Sequence, residues 1–315
     1  MADSQLGWSD AQWEKVNNAV TEAFAKASVA SSVLPCYGPL TDSAEYVRNE
    51  QFASTGELVT VQDDTTLKLF NLTVDVDLSS EQAADESLAT ALLAFRRAAN
   101  TLAQVEDDIV FNGFGDPRTE VRDFLEQSGF DFRVVDPFFP GVVRANPVSL
   151  EGLVHIVDTK TKARRTVGHG TADQVVDSAL RLAIASLATT AGDHLVTDIA
   201  SAIVTLESAS HPGPFACILG ANAFVEAYRP AAGSLVLPAD RITPMLNGPL
   251  LRSGRLASDL GVVVSLAANA IDIVVATPPT AQFLQIDQNA RRRFRVYEKF
   301  MLRIKDRTAV QGVSI

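Results

Sequence analysis

Val105-Glu106-Asp107-Asp108-Ile109-Val110-Phe111-Asn112-Gly113 reads as the closing turns of a helix. Val105 and Ile109 are one helical turn apart, and Asn112-Gly113 is a helix stop. The three acidic residues are consecutive, so on a helix they point about 100° apart. They therefore do not converge as a metal site or an acid–base pair, and Glu106 or Asp107 is expected to be buried against an arginine. Working back, no Gly or Pro occurs from Glu81 to Phe111. Leu88, Leu92, Phe95, Ala99, Leu102 and Ile109 form one apolar stripe, with Ala91, Ala98 and Val105 beside it. The pattern predicts one helix opened by Ser79-Ser80-Glu81, about thirty residues and roughly 45 Å long at ~1.5 Å per residue.

Upstream, residues 57–78 read as a β-hairpin. Leu58 to Val61 is one arm, Asp63-Asp64 the turn, and Leu67 to Leu78 the other arm. Phe70, Leu72, Val74, Val76 and Leu78 alternate with polar residues, the mark of a half-buried strand. A lone hairpin is marginal in water, so something is expected to cover it, and another copy of the chain is a good candidate. Nearer the start, Ser9 with Gln12 forms a capping box, and Trp8 with Trp13 brackets it as a hydrophobic staple. Trp13, Val16, Val20, Phe24 and Ala27 then recur at helical spacing. Val33 to Leu40 is an extended piece ended by Gly38-Pro39.

Downstream the pattern is mixed. A short helix is expected from Asp116-Pro117 through Glu126, and a strand pair at 154–157 and 165–167. Further helices are expected from the Thr171/Gln174 cap to about Thr189 and from Asp193 to Leu206. Phe215–Leu219, Val262–Leu266 and Ile271–Ala276 are short buried strands. The closing element runs from Phe294 to Ile304. Phe294, Val296, Phe300, Leu302 and Ile304 face one way, interrupted by Glu298. Arg295, Lys299, Arg303 and Lys305 face the other. The alternation indicates an α+β or α/β lobe.

The 315 residues fit one large or two modest domains, and 47 % hydrophobic with 21 % charged residues is a globular balance. No apolar run is long enough to cross a bilayer, and the acidic first thirty residues do not resemble a secretory signal. Cys36 and Cys217 lie far apart, consistent with a cytoplasmic setting. The net charge of −11 disfavours general nucleic-acid binding. Arg291-Arg292-Arg293 with Arg295 is the densest basic cluster, and its expected role is pairing with acidic residues of the same or a neighbouring subunit. His155, His169, His194 and His211 have no zinc-type spacing; Gly168-His169-Gly170 reads as a loop. No Gly-x-Ser-x-Gly elbow, dinucleotide fingerprint or phosphate loop occurs. No catalytic residue, metal or cofactor is expected.

These pieces together resemble the encapsulin family, with its HK97-type phage capsid fold. Residues 9–13 with Phe24 resemble the family's N-terminal helix. Tyr37-Gly38-Pro39-Leu40 is similar to its Gly-Pro turn, and 105–113 to the end of its spine helix. Glu151-Gly152-Leu153, Gly213-Pro214-Phe215 and the stretch from Phe294 to Lys305 resemble later motifs. The resemblance implies an α+β chain in which 1–51 opens the peripheral domain. It implies an E-loop at 52–78, a spine helix at 79–113 and an axial domain at 114–275 with insertions near 114–150 and 154–192. Peripheral strands would close the chain at 276–315.

It further implies a homo-oligomeric icosahedral shell of about sixty copies or a multiple of that. The cargo would be a ferritin-like protein or dye-decolourising peroxidase, held through a C-terminal targeting peptide. Val20, Phe24, Tyr37 and Leu40 would line the cargo groove. Phe70, Leu72, Arg291, Arg292 and Arg293 would make inter-subunit contacts. No membrane partner is expected. A phage or prophage major capsid protein that packages DNA shares the fold; a bacteriocin-like or other soluble enzyme is the remaining alternative.

Overall fold

A computed structural model describes residues 7–55, 58–114, 150–154, 191–230 and 235–315. The helices expected at 116–126 and 171–189, the strand pair at 154–157 and 165–167 apart from Val154, the Gly168-His169-Gly170 loop and most of both insertions lie outside these residues. The chain divides into two units. The first is Met1–Ile109, Phe114–Leu150 and Asp272–Ile304; the second is Val110–Gly113, Glu151–Ile271 and Lys305–Ile315. The closing segment is thus shared, with the residues after Ile304 in the second unit.

In the first unit, helix α1 (Asp10–Ala27) starts at Ser9, and the capping box with Gln12 is formed. Helix α2 (Ala30–Val33) follows directly. A four-stranded sheet has the order β1-β10-β11-β4, made of β1 (Cys36–Tyr37), β4 (Phe70–Leu78), β10 (Ile271–Ile286) and β11 (Arg292–Ile304). β1 runs parallel to β10, and β4 antiparallel to β11. Gly38, just after β1, has φ +141°, and a Cβ there would lie 2.1 Å from the Val275 carbonyl oxygen. Only glycine tolerates that approach.

The hairpin differs from expectation. It is β2 (Tyr46–Thr55) against β3 (Leu58–Lys68), antiparallel. Asp63-Asp64 lies inside β3, where both side chains are exposed. A strand wet on both faces accommodates Asp, so the pair is not a turn signal here. The alternation from Phe70 to Leu78 is a real strand, but its partner β11 lies more than two hundred residues away, and local patterning does not encode such a partner. The long helix is also divided. Helix α3 (Ser80–Ala84) stops at Asp85, whose carboxylate accepts from the Ser87 N–H (3.0 Å) and hydroxyl (2.8 Å). This local side-chain turn competes with the helix, and Leu88 takes φ +55°. Helix α4 (Ala89–Asn112) then runs 24 residues, about 36 Å.

In the second unit, β7 (Phe215–Leu219), β8 (Leu250–Arg252), β9 (Leu260–Ser265) and β12 (Val310–Ser314) form a sheet of order β12-β9-β7-β8. Helices α5 (Ala191–Ser208), α6 (Ala221–Ala227) and α7 (Pro238–Leu246) share its core. The predicted face of α5 is buried: Leu195, Ile199, Ile203 and Leu206 join Phe215, Val263 and Ile242. The two-residue strands β5 (Gly113–Phe114) and β6 (Leu150–Glu151) follow α4; Gly152 meets the end of α4, where a Cβ would lie 2.1 Å from the Gly113 nitrogen.

Candidate functional site

The apolar face of α1 is spent on the first unit's own core. Val20 is fully buried and Phe24 is 6 % exposed. Trp8 stacks on Phe294 at 4.9 Å between ring centroids, and Phe294 also meets Phe95 (5.3 Å), Phe283 (5.5 Å) and Trp13 (6.2 Å). The Trp8 indole N–H donates to the Ala83 carbonyl at 2.7 Å, and Asn17 Oδ1 accepts from the Ala281 N–H at 3.0 Å. These contacts fix the helix on β10 and β11. Of the four residues assigned to a groove, Leu40 is half-buried and Tyr37 is 49 % exposed.

Tyr37 has a charged neighbour. The Arg303 guanidinium lies 4.6 Å from its ring centroid and makes two hydrogen bonds to Asp272, at 2.9 and 2.7 Å. Arg303 and Asp272 are both buried. The charged face of β11 is therefore partly exposed only at its start: Lys299, Met301 and Arg303 are covered. Lys299 donates to the Asp42 carbonyl at 3.2 Å, and the Asp42 carboxylate accepts from the Thr277 hydroxyl.

A buried carboxyl cluster lies where α4 meets the segment after α1. Glu106 and Asp107 are both buried, as expected. Glu106, however, faces hydroxyls and a second carboxyl group, not an arginine. Its Oε1 accepts from Ser31 (2.6 Å) and Ser28 (3.2 Å), and its side chain hydrogen-bonds that of Glu298. Asp107 accepts from the backbone N–H groups of Val29 (3.0 Å) and Ala30 (2.8 Å) and from Ser28 (3.2 Å), holding the start of α2. Burial pushes the Glu106 carboxyl up to about 7, eased by the Ser31 hydroxyl and reinforced by the charge of Asp107. Burial, then Glu106 itself, pushes Glu298 well above the ordinary carboxylate range. Beyond the acidic run at 106–108, the sequence held one further signal of this site: Glu298 breaks an otherwise apolar alternation. Ser28 and Ser31 carried none.

The residues assigned to inter-subunit contacts fall in several environments. Leu72 is fully buried in the protomer and Phe70 is half-buried. Arg293 makes a two-pronged pair with Asp77 (2.8 and 2.9 Å), directly opposite on β4, and Arg295 does the same with Asp75 (2.8 and 3.2 Å). Arg291 is exposed; Arg292 is half-buried, with Nε and Nη1 lacking an acceptor. The sequence reading passed over the hairpin's own apolar residues. Tyr46, Phe52, Leu58, Val59 and Val61 are all exposed on β2 and β3.

Among the described residues no group of three or more His, Cys, Asp and Glu is placed to hold a metal ion, and no helix is long and apolar enough to cross a membrane. His155 and His169 lie outside the described residues. His211 Nε2 lies 2.7 Å from the Thr308 hydroxyl and 3.2 Å from Asp306 Oδ2. A catalytic triad needs its acid on the other ring nitrogen, so this cluster ties α5 to the closing segment of the second unit.

Comparison with known proteins gives the architecture a family. A virus-like particle subunit from Pyrococcus furiosus superposes with TM-score 0.62 at 14 % identity, over 96 % of this chain and 99 % of that one. The capsid protein of the Myoviridae phage XM1 superposes with TM-score 0.52 at 13 % identity, over 91 % of each chain. The fold is thus the α+β, HK97-type capsid fold. The type 1 encapsulin shell protein EncA of Myxococcus xanthus is 22 % identical over 95 % of this chain and 91 % of its own length. The family model described as encapsulating protein for peroxidase matches residues 4–120 and 175–301. With most of its length so matched, the chain belongs to the encapsulin family of shell proteins.

Proposed function

We propose that this chain assembles with copies of itself into a closed icosahedral compartment in the cytoplasm, of about sixty subunits or a multiple, the count that icosahedral symmetry requires. The observation that carries this reading is the β2–β3 ribbon. It forms a two-stranded sheet of its own and exposes Phe52, Leu58, Val59 and Val61. Such a ribbon is marginal alone, and a neighbouring subunit would cover both its edges and its apolar side chains. Its place in an encapsulating family supports the same reading.

The interior would hold an enzyme, a peroxidase or a ferritin-like protein, captured through a short C-terminal peptide. Of the four groove residues, Tyr37 and Leu40 would touch that peptide. Val20 and Phe24 would hold α1 in place, because their side chains are already buried. The shell would supply enclosure, and the chemistry would belong to the cargo. The protein purified gently and passed over a sizing column is expected to elute as megadalton particles and to appear as hollow spheres by electron microscopy. Elution near the 33.7 kDa of one chain across salt and concentration would sink this reading.

A further inference from the structure

Two buried carboxyl groups in contact need a proton between them. Glu106 on α4 and Glu298 on β11 hydrogen-bond each other side chain to side chain, and both are about 1 % exposed or less. Glu106 Oε2 and Glu298 Oε2 are buried with no other N–H or O–H within reach. A carboxylate only accepts, so two ionised groups there would leave these oxygens unsatisfied. One proton turns one group into a donor and satisfies both. The surroundings add negative charge. Asp107 is adjacent on α4, and the Cys36 thiol stands close on β1. The Asp272 charge on β10 also acts on the Cys36 thiol, and is met by Arg303 on β11. The groups that hold the N-terminal segment to this cluster are neutral: the Ser28 and Ser31 hydroxyls on Glu106, and the Val29 and Ala30 N–H groups on Asp107.

We propose that Glu106 and Glu298 share a proton that acts as a latch, holding the segment from Ser28 to Leu34 on α4, and that alkaline conditions open it. Both carboxyls are raised above their unfolded range by burial. The folded state therefore binds more protons than the unfolded one, and stability falls as pH rises. The contribution is whole below the ordinary Glu value of 4.5 and declines through about 7. It continues to decline above that, because Glu298 is raised further. When the last proton leaves, three neighbouring carboxylates repel one another in a dry site, and the segment bound by hydroxyls and amides is the part free to move. The latch is a property of the first unit and holds whether or not the chain closes into a shell.

Hydrogen exchange of the intact protein, read by mass spectrometry and corrected for intrinsic rates, tests this. Peptides covering 28–34 should exchange about tenfold faster or more at about pH 9 than at about pH 6. Peptides from α5 in the second unit should not change. In Glu298→Gln the amide donates permanently to Glu106, so the acceleration should disappear. If that variant does not fold, Glu106→Gln places the same amide on the other side and should behave alike. Unchanged exchange in the parent protein, equal acceleration in α5, or the parent's pH response persisting in the glutamine variant would each overturn the latch.

Discussion

Asp272 and Arg303 are each 4 % exposed at the side chain and joined by two charge-assisted hydrogen bonds. Removing one partner strands the other in the core, which costs about 3–5 kcal/mol in comparable buried pairs. Asp272→Ala should therefore lower the thermal midpoint sharply, and Asp272→Leu combined with Arg303→Met should recover much of the loss. A double variant as unstable as the single one would show that the pair is needed for more than cancelling charge. Arg293 and Asp77 have comparable bond lengths but are each about a third exposed. Water screens such a pair, so Arg293→Ala should leave the midpoint nearly unchanged. Burial decides between these two cases, and the bond lengths do not.

Among the elements, β2–β3 is where folding and assembly separate. Phe52→Ser, Leu58→Ser and Val61→Ser together remove apolar side chains that are 45 %, 63 % and 53 % exposed. Exposed substitutions usually change protomer stability by less than about 0.5 kcal/mol each. The triple variant is expected to keep its circular-dichroism spectrum and stop forming particles on a sizing column. Full-sized particles from it would move the main contact elsewhere. This ribbon was only partly legible in the sequence. A hairpin was evident, but its placement rested on Asp63-Asp64 as a turn, and a strand with solvent on both faces carries no alternation to mark its centre. Elements with one buried face read true: α1 with its Ser9 cap, the α4 stripe from Leu92 to Ile109, and the α5 face at Leu195, Ile199 and Leu206. The break at Asp85–Leu88 was hidden because its cause is a hydrogen bond between side chain and backbone, and no Gly or Pro marks it. The carboxyl cluster was half legible. The burial of Glu106 was anticipated, while its partner Glu298 comes from a strand nearly two hundred residues later.

At the scale of the whole molecule, what fills a shell with this fold is decided by charge. The fold is shared with a phage capsid, so architecture alone does not choose between protein and nucleic acid as the content. Each chain carries −11, and in a shell of about sixty copies this sums to several hundred negative charges. A polyanionic content would have to be offset by basic side chains with free valence. The densest basic stretch does not offer many: Arg293 and Arg295 are already committed to Asp77 and Asp75 of the same chain, and Arg303 further along β11 to Asp272. Counterion release, the main driving force for binding phosphate backbones, is small where the arginines already have carboxylate partners. Particles treated with nuclease before disruption are therefore expected to release protein and no protected nucleic acid, with an ultraviolet spectrum dominated by the 280 nm band. Long DNA protected inside them would overturn the compartment reading in favour of a capsid.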